Sequence, residues 1–233
     1  MNRLHLALFL CITTLWGQNH DFSASETLVY TTGFRLFTAG TSTLEVVEQE
    51  GDTLLHVVSQ VRTSKFFDRL YRIRDRIDLW LDPDNLVLRR MQREINEGRY
   101  KRKDTTIVDS KAGIIYARGD TLTVEGPVFD PIGVIYYLRG LPLAIGDEIH
   151  LSIFNGRRLQ RITITVRGPE RIKVPAGEFE CLVLKPAPLN NQRLTKVDGL
   201  LQLWLTLDER RMPVRLEQES SFGTMVLKLT EVR

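Results

Sequence analysis

The chain has 233 residues, of which 42% are hydrophobic and 26% are charged. These fractions are ordinary for a folded globular protein, so they exclude a disordered chain and a bundle of membrane helices. The formal net charge of +3, from 32 basic and 29 acidic residues, is too small to require an anionic partner, and we expect no binding of nucleic acid. The length suits one large all-β domain.

The beginning of the chain has a short basic start followed by an apolar run. Asn2 and Arg3 come first, and residues 4–16 are apolar except for one histidine and two threonines. The run is too short to span a bilayer, which needs about 20 residues. This profile predicts a signal peptide over residues 1–17, cleaved after Gly17, and therefore an exported protein that is periplasmic or associated with the outer membrane. The alternative is a buried N-terminal strand or helix.

A short polar stretch and then a continuous β-type sequence follow. We expect residues 18–25 to be a disordered start of the mature chain and residues 26–233 to form a single antiparallel β domain, because no repeat or linker divides the rest. Cys11 lies in the predicted signal peptide, which leaves Cys181 alone in the mature chain and excludes an intrachain disulfide. Cys181 lies in an apolar run and is expected in the core.

The first half of the predicted domain consists of short runs rich in β-branched and aromatic residues, separated by turn residues at spacings of roughly 8 to 12 positions. This spacing predicts an antiparallel meander. Side chains alternate between an apolar and a polar face, most clearly in the run from Ile73 to Leu81. The predicted strands are residues 28–34, 42–49, 54–63, 73–81, 86–95, 99–108, 114–117 and 121–124.

One segment has a helical rather than a strand pattern. Asp130 is suited to the N-cap and Pro131 to the first turn, which predicts a helix from Pro131 to Arg139 that Gly140 ends in the left-handed conformation. Arg139 is expected to point away from the core. The inward face is expected to consist of residues at helical spacings, namely Ile132, Ile135 and Tyr136.

Strands resume after the helix. Asn155-Gly156 and Pro175-Ala176-Gly177 are strong signals for hairpin turns. The longest irregular stretch, residues 187–198, is expected to be a surface loop, with a lid as the alternative. The predicted strands of this half are residues 148–154, 159–167, 171–174, 179–184, 200–207, 214–221 and 224–232.

Together these elements predict an all-β fold. We expect a large curved antiparallel sheet that forms a partial barrel or a two-layer sandwich, because a sheet of this many strands rarely stays flat. The one short helix would plug or cover an open end. If the concave face encloses an apolar cavity, the residues expected to line it are Phe34, Leu36, Ile77, Leu79, Val134, Tyr137 and Trp204.

Side chains that carry enzymatic chemistry are scarce in the predicted mature chain. Its histidines, His20, His56 and His150, have no metal-ligand spacing, and the sequence has no Gly-rich phosphate loop and no nucleophile-elbow motif. We therefore predict no catalytic residue, no metal site and no cofactor.

Three acidic residues, Asp68, Asp75 and Asp78, lie close together in the sequence among four arginines. Two carboxylates at a suitable separation would serve a glycosidase. The neighbouring guanidinium groups instead favour ionised, paired acids. The prediction is therefore a structural ion-pair network.

Basic residues cluster on both arms of the predicted hairpin of residues 86–108. Alternation places Arg99, Lys101 and Lys103 on one face, so we predict a basic ridge there. Its plain interpretation is a solvated face that discourages edge-to-edge aggregation. The alternative is peripheral contact with anionic lipid head groups or with the phosphates of lipopolysaccharide.

Several segments act together as a family signature. They are residues 71–75, Asp130-Pro131 with residues 136–139, residues 174–177 with Phe179 and Cys181, and Trp204-Leu205 with Asp208 and residues 212–214. From about residue 26 to the end, the chain resembles the domain of unknown function 3108 family, exported bacterial proteins without an agreed activity. This resemblance implies location and β architecture, and it transfers no catalytic residue. The final stretch is also similar to the tail of the LolA and LolB periplasmic lipoprotein carriers, whose curved sheet half-encloses an apolar cavity.

The sequence thus predicts a non-enzymatic exported protein of the cell envelope. One hypothesis is that it binds a lipid-like or other amphiphilic envelope component in a concave β cavity. The alternative is a structural or assembly partner of another envelope protein, with a filled core and no ligand. A continuous apolar cavity of roughly several hundred cubic ångströms would favour the first hypothesis over the second. The sequence leaves the oligomeric state open.

Overall fold

The structure is a computed structural model that describes residues 26–34, 37–47, 53–189, 202–220 and 223–233. The predictions for the signal peptide and for residues 18–25 therefore lie outside the described residues, as do Leu36, His20 and most of the predicted loop of residues 187–198. Within the described ranges, no helix has the length and apolar character needed to cross a membrane.

Strands dominate the described chain and join into one sheet of 15 strands. They are β1 (Thr27–Phe34), β2 (Phe37–Val47), β3 (Leu55–Thr63), β4 (Arg74–Leu81), β5 (Leu88–Glu97), β6 (Tyr100–Asp109), β7 (Ile114–Ala117), β8 (Asp120–Thr123), β9 (Val128–Phe129), β10 (Glu148–Phe154), β11 (Leu159–Val174), β12 (Gly177–Pro188), β13 (Gln202–Thr206), β14 (Pro213–Ser220) and β15 (Gly223–Val232). Two helical elements accompany them, a 3-10 turn at Phe67–Arg69 and the α-helix α1 at Gly133–Arg139.

The sheet consists of two meanders, which are joined where the first strand of the chain pairs with the last. From one edge to the other the strand order is β8-β7-β6-β5-β4-β3-β2-β1-β15-β14-β13-β12-β11-β10-β9. Every pairing is antiparallel except β9 with β10, which is parallel. The prediction of an all-β fold with a large curved antiparallel sheet and one short helix is confirmed. Since all described strands share one sheet, the partial barrel is the alternative that the chain adopts.

Alternation along the strands separates a buried concave face from an outer face. In β4 the side chains of Leu79 and Leu81 are fully buried, whereas the side chain of Arg76, on the opposite face of the strand, is exposed. Strands with one covered and one wet face produce this period of two. The apolar side chains of the concave face and of α1 form one continuous core.

Two strand predictions differ from the structure for local reasons. The predicted strands 159–167 and 171–174 are one strand, β11, whose register shifts between Arg167 and Glu170. Pro169 has no N–H to donate to the ladder, so the strand continues through an irregularity instead of ending. Strand β9 was not predicted because two residues are too few to show an alternating pattern.

Helix α1 begins two residues later than predicted. Asp130 Oδ1 accepts hydrogen bonds from the N–H groups of Ile132 (2.8 Å) and Gly133 (3.0 Å), so its side chain still holds the chain at the helix start. A Cβ on Gly133 would lie 2.6 Å from Asp130 Oδ2 and 3.2 Å from the Leu81 side chain. Glycine therefore permits a close approach of α1 to β4. Gly140 follows the helix with φ of −81°, so the predicted left-handed ending is wrong.

Candidate functional site

The concave face of the sheet is occupied by α1. Val134 and Leu138 on the helix face Ile153, Ile164 and Leu203 on the strands. The apolar cavity between them has a volume of about 10 Å³. That volume is about one water molecule, and it is far below the roughly 300 Å³ at which ligand pockets begin.

Four of the residues predicted to line a cavity lie on or near this helix-covered face. Leu79 and Val134 are buried in the core, and Ile77 is partly buried against it. Tyr137 is partly buried, and its ring centroid is 4.6 Å from that of Phe129. These side chains are packed against protein, so they fill the concave face instead of leaving it open.

Two other predicted lining residues lie elsewhere. Phe34 is at the end of β1, where its ring centroid is 5.4 Å from that of Phe37. Trp204 is on the opposite face of β13 from Leu203, and its indole N–H donates to Glu170 at 3.0 Å. The six of these predicted residues that the structure describes are therefore not brought together in one site.

A buried ion pair joins the end of α1 to the start of β1. Arg139 donates to both carboxylate oxygens of Glu26, at 2.6 and 2.9 Å, and the two side chains are 4% and 6% exposed. The expectation that Arg139 points away from the core is wrong, because it finds this partner 113 residues away in sequence. No local pattern could have indicated the pair.

Two buried tyrosines border the ion pair. The Tyr30 hydroxyl donates to the carbonyl of Pro213 at 2.8 Å, and the guanidinium of Arg139 lies 5.5 Å from the centre of the Tyr136 ring. Burial raises the pKa of both hydroxyls above the ordinary value for tyrosine. Both therefore stay protonated at neutral pH, and the cluster of Glu26, Arg139, Tyr30 and Tyr136 is built to hold α1 in place.

The predicted ion-pair network is confirmed for two of its three acids. Arg74 donates to both oxygens of Asp68, at 2.9 and 2.5 Å, and these bonds lower the pKa of that carboxyl. Asp78 receives hydrogen bonds from Arg76 and lies 3.0 Å from His56 Nε2. Although burial opposes it, this pairing also lowers the pKa of Asp78. Both acids are ionised structural partners.

The third acid, Asp75, has a different partner. It accepts the backbone N–H of Asn96 at 2.8 Å and interacts with the carboxyl of Glu97. Burial raises the pKa of both carboxyls, and the charge of Asp75 raises that of Glu97 further. Each carboxylate charge disfavours ionisation of the other carboxyl. This pair lies where β4 and β5 reach one end of the sheet.

An arginine links the two halves of the curved sheet. Arg93 in β5 donates to the carbonyls of Asn155 (2.7 Å) and Gly156 (3.2 Å) in the turn between β10 and β11, and to Asp104 in β6. A Cβ on Gly156 would lie 2.2 Å from the Arg93 guanidinium. The glycine therefore makes room for the contact that draws the two halves together.

The residues of the predicted basic ridge are on the outside of the molecule. Arg99, Lys101 and Lys103 are all exposed, and Lys103 Nζ lies 3.0 Å from Glu94. Beside them the outer face carries an open polar groove of about 610 Å³, lined in part by Asp78 and Trp80. The Trp80 ring is covered by His56 on one side (4.7 Å) and Arg90 on the other (4.7 Å). Neither face of the indole is therefore open for stacking with a ligand.

The last group of reactive side chains comprises the potential metal ligands, Cys181 and His150 of the described ranges. There is no group of three or more His, Cys, Asp or Glu side chains there that could hold a metal ion. Cys181 is buried, and burial raises the pKa of its thiol to about 11. His150 Nδ1 lies 3.0 Å from the Thr163 hydroxyl on the outer surface.

A solved structure with a TM-score above 0.5 shows a similar fold. The β-barrel-like protein of domain of unknown function DUF1849 from Brucella abortus is 12% identical, with a TM-score of 0.60, over 90% of this chain and 97% of that one. A DUF1089 family protein from Pseudomonas aeruginosa is 15% identical, with a TM-score of 0.35, over 91% of this chain and 95% of that one.

Comparison of sequences identifies the family. No curated protein matches the chain. The model of the family described as "Protein of unknown function (DUF3108)" matches residues 28–230. This match confirms the predicted resemblance, whereas the likeness to LolA and LolB stays a prediction. The chain thus belongs to the DUF3108 family.

Proposed function

We propose that this protein is a non-enzymatic component of the bacterial cell envelope that acts through its outer surfaces, as a structural or assembly partner. The observation that carries the proposal is the packing of α1 into the concave face of the sheet, with a cavity of only about 10 Å³ left between them. The location in the envelope rests on the signal-peptide profile of residues 1–17.

The way in which α1 is held favours a permanently filled interior. Its first turn is fixed by Asp130 and its last residue by the buried pair of Arg139 with Glu26. Moving α1 out of the sheet would separate two charges that are almost fully buried, which is costly. An enclosed amphiphile would have to displace the helix, so binding in the concave face is the less favoured hypothesis.

Native mass spectrometry of protein purified from the periplasm tests this proposal. We expect the chain at its own mass, with no lipid in an organic extract of the same sample. In parallel, the fluorescence of the probe N-phenyl-1-naphthylamine should not increase with the wild type. It should increase with Arg139→Ala, in which α1 is released, and not with Leu207→Ala, an exposed substitution outside α1. A stoichiometric lipid in the wild-type extract would overturn the proposal.

A further inference from the structure

Apolar side chains in or beside three turns at one end of the sheet are exposed to solvent, and the one at the first turn is at the start of β2. The turns follow β1, β3 and β5, and successive turns of an antiparallel meander that leave every second strand lie at the same end. We name their exposed apolar side chains the aromatic tip. It consists of Phe37 (49% exposed), Phe66 (66%), Leu70 (72%), Tyr71 (51%) and Tyr100 (51%).

The turns contact one another, so the aromatic tip is one surface. The Phe37 ring stacks on Phe67 with centroids 5.4 Å apart, and Phe67 meets Phe66 edge-on at 5.2 Å. On the other side, a Cβ on Gly98 would lie 2.8 Å from the Tyr71 ring, and the Gly98 N–H donates to the carbonyl of Arg72 at 2.8 Å. The surface therefore extends from the β1–β2 turn to the β5–β6 turn.

The segment that carries Phe66 and Leu70 is held firmly in this exposed position. Thr63 and Arg74 both donate to Asp68 in its 3-10 turn, and the N–H of Ile73 donates to the Thr63 hydroxyl at 2.9 Å. Single exposed apolar residues are common on proteins, whereas a contiguous group of five, three of them on one firmly held loop, marks an interaction site.

Positive charge surrounds the aromatic tip. Five exposed cations lie on the same turns, namely Lys65, Arg69, Arg72, Arg99 and Lys101. None of the five lies within ion-pair distance of an acid among the described residues. Among the acids of this end, Asp68 is paired with Arg74, and burial raises the pKa of the neighbouring carboxyls of Asp75 and Glu97.

Exposed aromatic and leucine side chains ringed by lysine and arginine match the interface of an anionic bilayer. The rings and Leu70 can enter the boundary between head groups and acyl chains, while the cations bind lipid phosphates. We propose that the aromatic tip docks the protein on the surface of an anionic lipid bilayer. The inference deepens the proposed function and rests on it, since it names the partner of one outer surface.

Vesicle binding tests the docking surface. The full chain, expressed from residue 1 and purified from the bacterium, is sedimented with vesicles of phosphatidylglycerol and phosphatidylethanolamine, and with vesicles of phosphatidylcholine alone. We expect binding to the anionic vesicles that weakens with salt, and at least tenfold weaker binding to the neutral ones. In Phe66→Trp the tryptophan emission should shift to shorter wavelength on binding and be quenched by brominated acyl chains.

Matched variants separate the aromatic tip from general stickiness. Lys65→Ala and Arg69→Ala should each weaken binding about fivefold, as expected for one cation near the surface. Leu70→Ser should weaken it about tenfold, since it removes most of one inserted apolar side chain. Ile145→Ser and Lys111→Ala, exposed positions at the opposite end of the sheet, should leave binding unchanged. Circular dichroism and melting curves confirm that each variant is folded.

Several outcomes would overturn the docking surface. One is absence of binding to anionic vesicles, and another is equal weakening by the control variants. A third is crosslinking of the tip to an envelope protein while the tip variants bind vesicles normally, which would assign the tip to a protein partner. These results leave the proposed function standing. Conversely, a lipid extracted from the interior would refute the proposed function whatever the tip variants do.

Discussion

The buried pair of Glu26 and Arg139 should contribute strongly to stability, and only as a pair. Both oxygens of Glu26 accept from the Arg139 guanidinium, at 2.6 and 2.9 Å, with almost no access to solvent. Removing one partner from such a pair leaves a desolvated charge behind. We therefore expect either single substitution to lower the free energy of unfolding by about 3–5 kcal/mol.

The two single substitutions should differ in size. Glu26→Leu leaves a guanidinium that still lies 3.4 Å from the carbonyl of Arg210 and beside the Tyr136 ring, so its cost should be about 3 kcal/mol. Arg139→Met leaves a carboxylate near the Tyr30 hydroxyl, which already donates to Pro213. The cost of Arg139→Met should be about 5 kcal/mol.

A double-mutant cycle measures the coupling. Glu26→Leu with Arg139→Met replaces both charges by apolar side chains of similar volume, so the double variant should lie within about 2 kcal/mol of the wild type. Urea unfolding followed by circular dichroism gives all four free energies. Glu231→Ala, which breaks the exposed pair with Arg233 beside β1, is the control and should cause no measurable change. If the costs of the single variants simply add in the double variant, the pair is not a coupled unit and the reasoning fails.

Four further predictions concern helix α1, the Arg93 contact between the two halves of the sheet, and the thiol of Cys181. Burial raises the pKa of Asp130 from 3.8 to about 6. The free energy of unfolding should therefore be highest, as far as Asp130 contributes, below about pH 4, and should fall by about 3 kcal/mol as pH rises through the folded-state pKa. Urea titrations should show that this loss is absent in Asp130→Asn. Ile135→Ala should cost about 2–5 kcal/mol in the same assay because Ile135 is 1% exposed, and a cost under about 1 kcal/mol would contradict the tight packing of α1. Arg93→Gln should lower stability by about 2 kcal/mol and speed amide exchange in the turn at Asn155, whereas unchanged exchange would argue against the link between the sheet halves. Cys181 should react with a thiol reagent only after unfolding, and labelling of the native protein at neutral pH would refute its burial.

Local pattern determined most of what could be predicted about the sheet. The alternation in the run that became β4 and the turn at Asn155-Gly156 predict strands and a hairpin because both signals depend only on neighbouring residues. The pairing of β1 with β15 could not be predicted in this way. Leu28 and Val232 pair in the sheet, but no feature of the sequence near either residue indicates a partner so far away in the chain.

The candidate surfaces required the topology as well. The residues predicted to line a cavity were chosen for apolar character, and alternation about Leu203 places Trp204 on the outer face. The aromatic tip was missed because residues 64–72 have no periodic pattern. Its significance depends on the strand order, which brings three separate turns to one end. The one usable sequence signal was the alternation of aromatic and basic residues around Phe66 and Tyr71.

The position of β15 between β1 and β14 has a consequence for folding, because it makes one pairing of the sheet span almost the whole chain. Each meander contains mostly contacts between strands adjacent in sequence, but the middle of the sheet depends on a strand that joins the first strand to the other half. Until β1 pairs with β15, both strands present an unpaired edge, the kind of edge that recruits other chains into aggregates. Contacts of such wide sequence separation form slowly. The pairing that closes the middle of the sheet therefore also removes the two edges at which partly folded chains would associate.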